Sequence, residues 1–307
     1  MKLSELVLLK TQLDEMTTVP FHNSSIHHLD KINFLIKSRS EYEGKLFDEL
    51  QKNVSKSFDT YEQSLTVLKD DIKEKIAIAE KFWFQESYTL YEQEANKTVE
   101  YLFDIRERTD VDISLFQARL NKQADWHYPG LVIRPGRGLF INEMVAYDPL
   151  YIVDVNYTFL MPTLNLFNTQ YQNRLRAYPI KENLNDEILI KIPDNQFGMC
   201  LAYDYFNYRP FEVLKKYLDE VYQKLKPGGI FAMTFNDCDR ASAVELVEKH
   251  YCCYTPGYLV RDLALSVGYE IEFSWHDKGP STWLELKKPG KLTSLKGGQT
   301  LAKIVSK

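Results

Sequence analysis

The chain has 307 residues, with 43 acidic and 38 basic side chains, a formal net charge of -5 and four cysteines. That length accommodates two domains, and the slightly acidic balance supplies no whole-chain positive field, so nucleic acid is not an expected partner. The cysteines (Cys200, Cys238, Cys252, Cys253) form no CxxC pair, which argues against a disulfide framework or zinc site and for reduced thiols in a cytoplasmic setting.

In chain order, residues 1–20 carry Leu6, Leu9, Leu13 and Met16 at helical spacing before a turn near Pro20. The run Leu6-Val7-Leu8-Leu9 is too short for a signal-peptide core, and no stretch reaches the ~20 apolar residues of a membrane span, so no membrane partner is expected. From Ser24 to Gln123 there is no proline and a single glycine, Gly44. Few stop signals over such a length predict long helix. Phe58, Tyr61, Leu65, Leu68, Ile72, Ala79 and Trp83 recur by threes and fours with only the step at Lys75/Ile76 irregular, leaving Lys69, Asp70, Lys73, Glu74 and Glu80 on a wet face. A stripe this narrow cannot form a core alone and must meet another helix. Residues 1–125 therefore read as a helical stalk, either a hairpin packed on its own chain or a coiled coil that makes a homo-oligomer. His27-His28 reads as a solvated pair, since no nearby carboxylate or thiol completes a metal-ligand set.

After Trp126 short apolar runs alternate with helical stretches. Strands are expected at Leu131–Ile133, Tyr151–Val155, Leu175–Ile180, Met199–Tyr203, Ile230–Phe235, Tyr269–Trp275 and Thr282–Leu286. Helices are expected near Phe140–Tyr147, Thr158–Asn173, Pro210–Leu225, Ala241–Tyr251 and Tyr258–Ser266. This alternation predicts an α/β domain over 126–290 with a largely parallel sheet. The last two strands are separated only by His276–Ser281, which forces an antiparallel hairpin. Residues 291–307 form a basic amphipathic tail, suited to docking on a protein partner or packing on its own domain.

Several motifs fall in an order that resembles class I S-adenosylmethionine-dependent methyltransferases. They are the Leu225-Lys226-Pro227-Gly228-Gly229 turn, the Ile192–Leu201 approach to a fourth strand, and Val267-Gly268-Tyr269 before the sixth. The resemblance covers about Trp126–Gly290 and implies a seven-stranded, Rossmann-like sheet and S-adenosylmethionine as cofactor. It places Gly136 and Gly138 in the cofactor loop, Asp154 at the ribose hydroxyls, and Ile192, Pro193 and Asp194 beside adenine. Asp204 and Tyr205 stand where the family places catalytic groups, Asp204 to orient an amine or accept a proton and the tyrosines to stack on a planar acceptor. The loop departs from the family pattern: Val132 replaces an acid and Arg134 an earlier glycine. Arg134 and Arg137 beside a glycine turn also suit phosphate or a carboxylate. An active methyltransferase and an inactive, methyltransferase-like assembly module are both consistent with this reading. The texture of the chain, a stalk joined to a degenerate enzyme fold, is similar to methyltransferase-like proteins of tailed bacteriophages.

Overall fold

The computed structural model describes residues 2–18, 41–94, 113–135, 140–155, 157–276 and 279–292. His27-His28, Gly136, Arg137, Gly138 and the tail beyond Leu292 lie outside them. The chain divides into two compact units, Met1–Phe82 and Trp83–Lys307.

The first unit holds helix α1 (Leu3–Thr18) and the residues of helix α2 (Glu41–Glu94) up to Phe82. In α1 the buried apolar side chains are Leu3, Leu6, Val7 and Leu13, one face of the helix. Lys69 of α2 reaches Asp14 of α1 at 3.3 Å, so Lys69 turns inward instead of facing water. The expected stripe is present in part: Ile72 is buried, and Leu65 and Ala79 are half-buried. Leu68 of the stripe is exposed, however, together with Val67, Ile78 and Phe82, so α2 carries a second apolar face.

The second unit is built on seven strands: β1 (Gly130–Ile133), β2 (Leu150–Asp154), β3 (Leu175–Pro179), β4 (Phe197–Ala202), β5 (Leu225–Asn236), β6 (Glu270–His276) and β7 (Ser281–Lys287). Their order is β3-β2-β1-β4-β5-β7-β6. β1 to β5 pair in parallel, and β7 runs antiparallel between β5 and β6. Every residue of β1 and β4 is buried, as a strand covered on both faces requires. Side-chain alternation divides the core. Leu131 and Ile133 join one apolar cluster with helices α7 (Phe211–Lys224) and α9 (Gly257–Val267). Val132 joins the other, with α3 (Ile113–Gln123), α4 (Ile141–Met144) and α5 (Tyr157–Asn165).

Three local features differ from expectation. The helix expected over Thr158–Asn173 is broken into α5 and the single turn α6 (Thr169–Gln172), because the Asn168 side chain accepts the Tyr171 amide at 2.8 Å and caps a new start. The helix expected near Phe140–Tyr147 shortens to α4. The Lys-Pro-Gly-Gly segment is a bulge inside β5: Phe197 pairs with Leu225, but Met199 pairs with Ile230. There Gly228 has φ 86°, and a Cβ on it would lie 2.5 Å from the Leu292 amide nitrogen, so only glycine admits the chain returning from β7.

The α/β unit also takes in helical residues that texture assigns to the stalk. The Tyr254 amide donates to Ser87 Oγ at 2.8 Å. Arg119 of α3 grips Glu285 of β7 through Nε at 2.9 Å and a second guanidinium nitrogen at 2.5 Å. Gln123 and the Trp283 indole complete the set at 2.6 and 2.9 Å. Helix α8 (Ala241–Glu248) follows β5, with Ala243, Val244 and Val247 buried.

Candidate functional site

In an open parallel sheet the carboxyl ends of the strands face the ligand crevice, and most of the charged groups of interest gather there. Arg134 follows β1 directly. It has φ 50°, its amide donates to the Val153 carbonyl at 2.7 Å, and it is only 3% exposed. Its guanidinium carbon lies 5.5 Å from the centre of the Tyr205 ring. Burial, then the charge of Arg209, push its pKa down, while Asp154, Tyr205 and Asp204 oppose that shift. Asp154, the last residue of β2, is 1% exposed.

Beside this group is a second, fully paired network. Glu182, just after β3, accepts from Arg209 Nε at 2.7 Å, from the Tyr91 hydroxyl at 2.9 Å and from the Tyr205 hydroxyl. Tyr205 and Tyr217 share a hydrogen bond of 3.1 Å between their hydroxyls. The Arg209 guanidinium also lies over the Tyr205 ring, 4.5 Å from its centre. Burial pushes the Tyr205 and Tyr217 phenols well above their ordinary range. These phenols hold the core together and carry no dissociable proton near neutrality.

At the end of β5, Asp237 accepts Thr282 Oγ1 at 2.6 Å and Arg261 at 3.3 Å, and Asp239 accepts the same Arg261 at 3.3 Å. A Cβ on Gly257 would fall 2.2 Å from Asp237 Oδ1, so the first turn of α9 must begin on glycine. Burial and then the charge of Asp237 raise the pKa of Asp239, with Arg261 pulling it back.

The structure brings Asp154 and Asp204 together at the carboxyl edge, with Arg134 between them in the electrostatic sense. Asp204 has φ 53°; its amide donates to Thr234 Oγ1 at 2.7 Å, and its carboxylate accepts from Asn207. Gly136 and Gly138 fall outside the described residues. Tyr205 is corrected: it is wholly buried, so its ring has no face for an acceptor to stack on. Ile192 and Asp194 are also corrected. They precede β4, at the amino end of the sheet, where Ile192 packs in the core and Asp194 pairs with Lys224 at 2.7 Å. The opposite edge of a parallel sheet cannot reach a ligand at Asp154. Sequence reasoning missed Glu182 and Arg209, which sit in no motif. The one local hint was an acid two residues after the apolar run that ends at Ile180.

No family model matches the chain, and no curated protein matches it. Solved structures are similar to part of the chain. One is a protein from Pyrococcus horikoshii, with TM-score 0.46 and 16% identity over 62% of this chain and 92% of that one. Another is an S-adenosylmethionine dependent methyltransferase from Mesorhizobium loti, at 0.45 and 11% over 56% and 96%. A SAM dependent methyltransferase from Aquifex aeolicus gives 0.43 and 13% over 57% and 89%. Likeness at this level says nothing of function, and the fold rests on the strand order itself. The strand order with its antiparallel β7 is that of the class I methyltransferase-like fold.

Proposed function

We propose that the α/β unit is a methyltransferase-like module whose cofactor cleft is filled by its own Arg134, and that it serves binding or assembly instead of methyl transfer. The carrying observation is the burial of Arg134 directly after β1, within the fields of Asp154 and Asp204. In the family this loop resembles, that position is usually a glycine, which has no side chain to occupy the cleft. A buried arginine takes up that space. Asp154, the expected ribose acceptor, is covered to the same degree, and Val132, where an anchoring acid is expected, lies in the apolar core. These residues do not fit S-adenosylmethionine in its usual pose.

Titration calorimetry of the full chain with S-adenosylmethionine and S-adenosylhomocysteine tests this. The wild type should give no binding heat up to roughly millimolar ligand, a free energy near -4 kcal/mol. Arg134→Gly should open the cleft and make binding measurable. A second reading, an active methyltransferase, is favoured by the acid retained at the end of β2. Tight binding by the wild type that Asp154→Ala weakens by about 1–3 kcal/mol would establish that reading and overturn the first.

A further inference from the structure

The exposed face of α2 has an internal symmetry. At about 100° per residue, Val67, Leu68, Asp71, Lys75, Ile78 and Phe82 fall within an arc of about 100° on one side of the helix. The four apolar members are 69%, 40%, 64% and 58% exposed in that order, far more than an apolar stripe on a helix requires. Asp71 and Lys75 lie in the middle of the arc, paired to each other at 2.5 Å and each about half exposed. Three pairs are symmetric about the level of residue 73: Leu68 mirrors Ile78, Asp71 mirrors Lys75, and Ser64 mirrors Phe82.

We infer that this face is the contact surface for a second copy of the chain, with the two α2 helices antiparallel and a two-fold axis at the level of Lys73. A two-fold interface must be self-complementary: if residue i meets j, then j meets i. The antiparallel arrangement satisfies this at these three pairs. Asp71 of each copy meets Lys75 of the other, Leu68 meets Ile78, and the Phe82 ring lies over the small Ser64. A parallel, in-register pair would put Asp71 on Asp71 and Lys75 on Lys75, two like-charge contacts at the centre of the seam. The charge pattern therefore selects both the occupant and its direction. All of these residues belong to the first unit, so the contact does not depend on the cleft of the α/β unit.

Sedimentation equilibrium of the full chain across the micromolar range should show a reversible monomer–dimer equilibrium. Asp71→Lys and Lys75→Asp should each raise the dissociation constant roughly tenfold, because every change acts twice across the axis. The double swap should restore it. A strictly monomeric wild type, or single swaps without effect, would overturn the inference. Oxidative cross-linking reads the direction. The Leu68→Cys/Ile78→Cys chain should form a covalent dimer while Leu68→Cys alone does not, against a background of four buried native thiols. Cross-linking of Leu68→Cys alone would mean a parallel pair and refute the antiparallel arrangement.

Discussion

Replacing Arg119 with leucine should be among the most damaging single changes to the α/β unit. Glu285 is 1% exposed and accepts four hydrogen bonds, two of them from Arg119. Removing one partner of a buried ion pair typically costs about 3–5 kcal/mol, since the remaining charge is stranded. Arg119 is itself 19% exposed, so water can follow into part of the vacated space and lower that figure. Its guanidinium also lies 3.9 Å from the centre of the Phe273 ring, a contact worth about 0.5–2 kcal/mol that leucine keeps only as apolar packing. The net expectation is about 3 kcal/mol. Urea unfolding followed by tryptophan fluorescence measures it, as Trp275 and Trp283 both lie in the β6–β7 hairpin. Adding Glu285→Met to the leucine variant should cost little more, and should recover stability if the stranded charge dominates. A loss below about 1 kcal/mol in the single variant would refute the claim that Arg119 neutralises Glu285 and clamps α3 to the sheet.

Tyr205→Phe should lower stability by about 1–2 kcal/mol, because its hydroxyl serves Glu182 and Tyr217 inside the core. A shift in the urea midpoint checks this, and an unchanged midpoint would return Tyr205 to the list of candidate catalytic groups. Asp239→Asn should stabilise the fold at neutral pH, since burial and Asp237 disfavour the charged form. A raised folded-state pKa favours the protonated acid, so the advantage of the asparagine variant should vanish as pH falls through the carboxylate range. Melting temperatures of both proteins across that range test the sign.

Much of the α/β unit was legible in the residues themselves. Leu131–Ile133, Tyr151–Val155 and their successors are short apolar runs whose strand character follows from local composition, and the short link after His276 allowed only a hairpin. Gly228 and Gly229 marked a place where backbone had to approach backbone, although the partner, the segment after β7, could be named only from the fold. Local pattern also exposed the substitutions at Val132 and Arg134. What it could not supply was convergence. Glu182 and Arg209 are separated by β4, and Arg119 and Glu285 by most of the unit. Ion pairs of that kind leave no trace in periodicity. Nor does periodicity say which end of a strand a neighbouring acid occupies, and so Asp194 was grouped with Asp154 while the fold sets them at opposite edges.

The sequence by itself determined the class of fold and the hairpin, because strand length and turn chemistry act over a few residues. Only the tertiary structure decided that Arg134 is buried beside Asp154, that Tyr205 belongs to the core, and that α2 exposes a second apolar face. Those outcomes depend on which surfaces meet, and side chains far apart in the chain settle that by burial and charge pairing.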